Sequence, residues 1–438
     1  MKVAPWLLAA TLSCSTSVFA VGSLAPDEQA LTRYITEHKA EQLQLLETLV
    51  NINSGTANAQ GVRRTGERLR PEFEPMGFHT RWAELPPEMK HAGTLIAIHD
   101  GKGARLLLIG HLDTVFPQGS PFQTFALSPD GKTATGPGII DDKGGIVTLL
   151  YALKALDHTR KLKDARITVV LTGDEELAAK PTSISRLALR EAAQISDIAL
   201  GFEFGLSSDQ LVTARRGLSE WSLSSVGKPM HSSLIFSSDA GDGAIYETAR
   251  VLNAFHDTLS DTPGLTLSPG ILLGGQTVNE DIQQGTGRAS GVKTIIAAKT
   301  RVHGDLRYLS EQQKNAAVQK MLAVTTHPLS QTSSQLTVSD IMPVMPETDA
   351  SRQLLTQFSD ISMALGDGPL QAISAAERGG ADASYIAQHV PAVIDGLGAW
   401  GSGAHSPQET LVVSSLPVVA SRTAIFIRRH TGQKSTSE

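Results

Sequence analysis

Two adjacent carboxylates, Asp141 and Asp142, stand between glycine-rich turns in Gly136-Pro137-Gly138-Ile139-Ile140-Asp141-Asp142-Lys143-Gly144-Gly145, directly before a strongly apolar segment. An acid pair on a loop usually caps a helix or faces water. Here it has company of the same chemistry. Gly110-His111-Leu112-Asp113-Thr114 lies upstream, Asp174-Glu175-Glu176 and Phe202-Glu203 lie downstream, and Gly403-Ala404-His405-Ser406 comes near the C-terminus. Histidine, aspartate and glutamate on loops that end strands make a donor set of the hard-to-borderline kind, suited to zinc.

Such groups need elements that aim them at one point. Short apolar runs at 94–98 and 105–109, bounded by glycine and charge, read as buried strands, and the second delivers His111 at its carboxyl end, where open α/β sheets place their sites. The runs 166–172 and 195–202 lead into Gly173-Asp174-Glu175-Glu176 and Glu203, so three strands each end at a candidate ligand. Between them, Ile146, Val147, Leu149, Leu150, Leu153 and Leu156 predict a helix buried on most sides. Apolar spacing predicts one helix over 27–52, opened by Pro26-Asp27, and a second over 59–76 that stops at Gly77. Alternating strands and helices imply an α/β fold with a mainly parallel sheet covered on both faces.

Around Ala214-Arg215-Arg216-Gly217 the pattern changes. Residues 218–226 and 296–308 alternate polar and apolar side chains, and 244–259 carries an apolar stripe at Ile245, Thr248, Leu252 and Phe255. In the second alternating run Lys299, Arg301, His303, Asp305 and Arg307 share one face, while Ala298, Val302 and Leu306 share the other. Two-faced strands with helices on one side predict a small α+β domain inserted at 214–343, after a last strand-like run at 335–338. The α/β pattern then resumes with a helix over 350–364, Arg378-Gly379-Gly380-Ala381-Asp382 read as a turn, a strand at 391–394, and His405. The catalytic domain would therefore comprise 21–213 and 344–432, with a polar tail without regular structure at 433–438.

With 438 residues the chain exceeds one ordinary core, in keeping with two domains. Its 41% hydrophobic and 19% charged residues are those of a globular protein, and 38 basic against 44 acidic residues leave no basic field for nucleic acid. The start Met1-Lys2-Val3, an apolar run at 6–12 and small residues up to Val18-Phe19-Ala20 describe a secretory signal cut after Ala20, with export to a periplasm or the medium. Ser13, Cys14, Ser15 and Thr16 interrupt the run well short of the ~20 apolar residues of a membrane span. Cys14 is the only cysteine, so the mature chain has no thiol chemistry. Lipid attachment at Cys14 is the alternative, which Thr11 and Leu12 fit poorly.

In their order along the chain these five motifs resemble those of the co-catalytic zinc exopeptidase family that includes carboxypeptidase G, aminoacylase and succinyl-diaminopimelate desuccinylase. The resemblance spans essentially the whole mature chain and is strongest to carboxypeptidase G. It implies two zinc ions per subunit, held by His111, Asp141, Glu176, Glu203 and His405. Two ions about 3.5–4 Å apart need a bridging carboxylate, and Asp141 is placed to supply it, with His111 and Glu203 on one ion and Glu176 and His405 on the other. Asp113 would accept the proton on the second ring nitrogen of His111, and Glu175 is left as general base. The resemblance also implies a cis peptide between Asp141 and Asp142. In the inserted domain it points to His231 as a ligand of the substrate carbonyl, often in a neighbouring subunit's site, to Arg307 as a partner for the substrate carboxylate, and to Asn279 as a lining residue. A homodimer through that domain is implied as well, and Arg378-Gly379-Gly380-Ala381-Asp382 resembles the family's glycine-rich loop beside the metals, without a catalytic role. Two departures stand out. Met230-His231-Ser232-Ser233 replaces the family's Ser-His-Ala-Gly, and Ile341-Met342-Pro343 stands near where glutamate-specific relatives carry an arginine.

The chemistry expected is hydrolysis of an amide next to a free carboxylate, in a small peptide or N-acyl amino acid, by a secreted carboxypeptidase of the glutamate carboxypeptidase kind. An N-acyl-amino-acid deacylase or dipeptidase would use the same metals. A metal-containing binding protein without catalysis is a third reading, against which Glu175 counts, since a binder needs no base beside its ligands.

Overall fold

The computed structural model describes residues 23–281 and 285–431, so the expected signal segment and the tail at 433–438 lie outside the described residues. Six strands form the central sheet, in the order His79–Ala83, Thr94–His99, Arg166–Thr172, Arg105–His111, Ile198–Gly201 and Ala392–Ile394. The last four run parallel and the first two add an antiparallel edge. Arg105–His111 is flanked by parallel neighbours on both sides, and Leu106, Leu107, Leu108 and Ile109 are buried. That double burial is why the strand reads as a continuous apolar run.

Helix Lys143–His158 is apolar almost all round because it is covered almost all round. One of its neighbours is Ser415–His430, a helix that the apolar spacing alone did not announce. Phe426 of this helix stacks on Phe358 of helix Asp349–Leu365 at 4.4 Å between ring centres. Its last turn carries Arg428 and Arg429, which meet Asp27 and Glu28 in the first turn of helix Pro26–Glu37, each at 2.7 Å. Basic groups at one helix C-terminus and acidic groups at another N-terminus each offset the local backbone dipole.

The helix expected over 27–52 is two helices, Pro26–Glu37 and Lys39–Val50. At the break, His38 stacks on Tyr34 at 3.9 Å and its Nδ1 lies 2.7 Å from the Tyr34 carbonyl oxygen. Apolar spacing continues through the break, which is why periodicity alone did not reveal it. Gly77 ends the next helical segment as expected, with a left-handed φ of 87° after Ala59–Phe73 and the short turn Glu74–Met76.

Between Arg215 and Met345 the chain builds a second layered unit, entered and left through reciprocal backbone hydrogen bonds between these two residues at 2.8 and 3.1 Å. Its antiparallel sheet runs in the order Thr266–Gly275, Lys299–Tyr308, Gly217–Gly227 and Thr332–Met342. Helices Gly243–Leu259 and Glu311–Thr325 cover one face and enclose Trp221, Leu223, Val251, Phe255, Val302, Leu306 and Met321 in a core of their own. The edge strand Thr266–Gly275 and the hairpin of Thr277–Asp281 with Thr286–Ser290 escaped the sequence pattern. Pro269, Gly270, Gly274 and Gly275 erase its alternation, and a bulge lies between Pro269 and Ile271; proline and bulges belong at sheet edges. Among the described residues no helix is long and apolar enough to cross a membrane.

Candidate metal and catalytic centre

The carboxyl ends of three parallel strands and two loops converge. His111 closes strand Arg105–His111, Glu203 follows Ile198–Gly201, and Glu176 lies in the loop after Arg166–Thr172. Asp141 precedes helix Lys143–His158, and His405 lies between the short strands Gly401–Ser402 and Thr410–Val412. Asp141 sits in the middle. Its Oδ1 is 3.0 Å from His111 Nε2 and its Oδ2 is 2.9 Å from His405 Nε2. Glu203 Oε1 lies 3.5 Å from the same His111 nitrogen, and Glu176 Oε2 lies 3.1 Å from that of His405. Two donor sets result, His111–Asp141–Glu203 and Asp141–Glu176–His405, each with its ligand atoms within 4.8 Å of one another. Asp141 belongs to both, one oxygen toward each.

The peptide between Asp141 and Asp142 is cis, as the family resemblance implied. Buried Glu409 holds the loop from behind, accepting hydrogen bonds from the backbone N–H groups of Gly138 and Ile140 at 2.9 Å and of Asp141 at 3.2 Å. Burial pushes the Glu409 carboxyl up to about 7 even with these three donors. Lys143 anchors the loop's other side, its Nζ donating to the carbonyls of Ile52 and Pro137 at 3.1 and 3.2 Å. Asp142 turns away from the pair of donor sets and accepts the N–H of His111 at 3.2 Å. The backbone of Gly145 passes so close to Asp142 that a Cβ there would lie 2.1 Å from its Oδ1, so no larger residue fits.

Asp113 has a wider task than its spacing from His111 suggested. His111 Nδ1 is 3.1 Å from the Asp113 main-chain oxygen and 3.4 Å from its carboxylate. The carboxylate also accepts the N–H groups of Glu175 and Glu176 at 3.0 and 3.1 Å and the Thr56 hydroxyl at 2.6 Å. One buried acid thus fixes both the histidine and the Glu175-Glu176 peptide. Arg186 steadies the same loop from the other side, reaching Asp174 Oδ1 and Asp382 Oδ1 at 2.7 Å each. Asp382 comes from the glycine-rich segment that resembles the family's loop beside the metals.

Electrostatics test whether these residues suit metal ions. Asp141 and then Glu176 raise His405 to about 11 by hydrogen bonding. Burial works against charging His111, but Asp113 and Asp141 prevail and raise it well above its usual value. Glu203 is pushed up to about 7 by burial and then by the charge on Asp141, and Glu175 is raised well above the usual carboxyl range by burial and then by Glu203. Protons therefore bind tightly between these carboxylates, where cations would serve the same charge. Glu176 Oε1 is buried without a hydrogen-bond partner among the described residues. Nitrogen and carboxylate donors in two sets that share one acid fit a pair of zinc-class dications.

The remaining sequence candidates lie in the inserted unit. His231 is exposed, with Nδ1 2.8 Å from Ser233 Oγ. Arg307 donates to Asp305 at 2.8 Å, and exposed Asn279 faces Arg288 across the hairpin. Among the described residues no hydrogen bond or ion pair joins these three to the five donors. Sequence reasoning missed Glu409 and gave no catalytic role to the loop of Arg378, which is buried with one Nη 4.0 Å from Glu203 Oε2.

Residues 107–429 match the model of peptidase family M20/M25/M40. The chain belongs to this family. It is thus a metallohydrolase of the M20 group, as expected from its five motifs. Carboxypeptidase G2 of Pseudomonas sp. strain RS-16 is 27% identical over 403 residues, covering 89% of each chain. Acetylornithine deacetylase of Klebsiella pneumoniae strain 342 is 24% identical, over 69% of this chain and 77% of that protein. In three dimensions the chain is similar to the aminopeptidase PepT of Bacillus cereus ATCC 10987, with a TM-score of 0.70, 18% identity, and coverage of 89% of this chain and 98% of that one. The likeness covers the M20 fold from end to end.

Proposed function

We propose that this M20 protein is a di-zinc exopeptidase that hydrolyses an amide bond next to a free carboxylate, in the manner of a glutamate carboxypeptidase. The observation that carries this reading is the pair of donor sets sharing Asp141, with Glu175 held beside them by its N–H on Asp113 and belonging to neither. When bound, the ions would supply Lewis acidity to the attacked carbonyl and lower the cost of ionising water. Glu175 takes the proton of the attacking water and returns it to the leaving nitrogen, a duty that suits a carboxyl raised by burial. Asp113 keeps that carboxyl and the His111 ring in register, and Glu409 fixes the backbone that carries Asp141.

His231 is proposed to serve a neighbouring subunit's site. Supporting this, exposed apolar residues Leu234, Phe236, Ile245, Tyr246 and Val292 belong to the same unit, as a surface for a second copy would require. Export is proposed on the N-terminal pattern described above. The alternative of an N-acyl-amino-acid deacylase or dipeptidase draws on the absence of an arginine in Ile341-Met342-Pro343. A panel of N-acyl amino acids and dipeptides, with products identified by mass spectrometry, tests the reading. Substrates ending in a carboxylate should be hydrolysed much faster than their carboxamides. Cleavage that ignores the carboxylate would refute it.

A further inference from the structure

A buried guanidinium needs an anion, because its desolvation is recovered only through close, hydrogen-bonded charge. Arg186 has Asp174 and Asp382 at 2.7 Å, Arg215 has Asp395 at 2.7 Å, and Arg422 has Asp367 at 3.5 Å. Arg378 differs. It is 4% exposed, its Nε, like that of Arg422, has no hydrogen-bond partner among the described residues, and its nearest carboxylate, Glu203, is 4.0 Å away, farther than the anion of any of the other three. Glu203 already faces His111 in one donor set. The flat of the guanidinium lies 4.2 Å over the Phe204 ring, which fixes its plane. Arg215, whose Nη1 donates to the Gly379 carbonyl at 2.9 Å, holds the loop and adds a second positive charge. The segment Ile341-Met342-Pro343 packs here, since a Cβ on Gly380 would lie 1.9 Å from Met342 Sδ, and it brings no charge. Beside the donor sets there is thus a planar, oriented, under-partnered cation.

We propose that Arg378 is a specificity-determining residue that receives the substrate's free carboxylate through its guanidinium fork. A carboxylate matches that fork in shape and charge, as a lysine ammonium does not. Arg307, the sequence candidate, lies in the inserted unit and pairs with Asp305 at 2.8 Å. The inference rests on the reading that the substrate carries a carboxylate beside the scissile amide.

The test uses zinc-loaded protein, the best substrate of the panel above, and that substrate's carboxamide. For Arg378→Gln, KM for the acid should rise about 10- to 100-fold, the loss expected for a charged hydrogen bond, with little change for the carboxamide. Calorimetric affinity for the released amino acid should fall by the same factor, while zinc content stays unchanged. Arg378→Lys should give an intermediate KM. Equal losses on acid and carboxamide, or an unchanged KM in either Arg378 variant, would overturn the proposal alone. Should Arg378→Gln not fold, the lysine variant decides by the same criterion. A wild-type enzyme indifferent to the carboxylate would overturn the parent reading together with this one.

Discussion

Glu175 and Glu176 are sequence neighbours with separate geometry. Glu176 reaches His405 at 3.1 Å within a donor set, whereas Glu175 belongs to neither set and is raised well above the usual carboxyl range. Glu175→Gln should therefore retain both metals and lose roughly 10²- to 10⁴-fold in turnover, because the amide keeps the shape but accepts no proton. Glu176→Gln should lose metal as well. Metal analysis of the two purified variants separates the roles, and equal metal loss in both would show the assignment to be wrong. The motifs that carry the five donors were legible in the sequence because their residue types are scarce in combination and stand at strand ends or glycine turns, and the family resemblance singled out the five among them. Glu409 was not legible. A lone glutamate in Ser406-Pro407-Gln408-Glu409 gives no sign that three N–H groups some 270 residues earlier point at it, at 2.9–3.2 Å. The segment around Arg378 was legible as a glycine-rich loop beside the metals, but the lack of a close anion at Arg378 is a property of the fold, invisible in composition.

At the scale of elements, the Asp141 loop depends on a brace from the far end of the chain. Replacing Glu409 by Ala leaves the N–H groups of Gly138, Ile140 and Asp141 without their acceptor, and should weaken metal affinity by about 10- to 100-fold, as loss of a residue behind a ligand does. Competition with a chelator of known affinity measures this, and unchanged affinity would remove Glu409 from the site. The inserted unit offers a second test, since His231 is exposed in the isolated chain. His231→Ala should lower turnover about 100-fold with metal retained, if the ring donates to the developing oxyanion. Mixing His231→Ala subunits with Glu175→Gln subunits should then restore part of the activity by service across an interface; no restoration would place the residue's action within one chain. Strands with clean alternation, such as Gly217–Gly227 and Lys299–Tyr308, were readable in advance. The edge strand and hairpin were not, because edge positions tolerate the proline and glycines that blur a period-2 pattern.

Over the whole molecule, proton binding at the centre makes stability depend on pH in a direction opposite to ordinary acid denaturation. In metal-free protein Glu203 rises from its usual 4.5 to about 7, and His405 from 6.5 to about 11. Both groups hold protons in the folded state that the unfolded chain would release, so stability falls as pH rises, between about 4.5 and 7 for the first and 6.5 and 11 for the second. Asp141, held well below its usual range, contributes in the other sense only in acid below its ordinary 3.8, and Lys143, lowered by burial from 10.5 to about 7, does so between those values, where it offsets part of the His405 effect. The Tm of chelated protein should therefore be lower at pH 9 than at pH 6, and zinc should remove the difference by taking the place of the protons. A Tm of the chelated protein that rises over that range would contradict this account of the charges.

The central claim is that one carboxylate serves two ions. It is tested most directly by adding zinc to fully chelated protein while bound metal and turnover are followed together. Two ions per chain should bind, turnover should reach its maximum only as the second site fills, and Asp141→Asn should weaken both sites at once. Full activity with a single ion per chain, or an Asp141→Asn protein that loses one site and keeps the other intact, would contradict it.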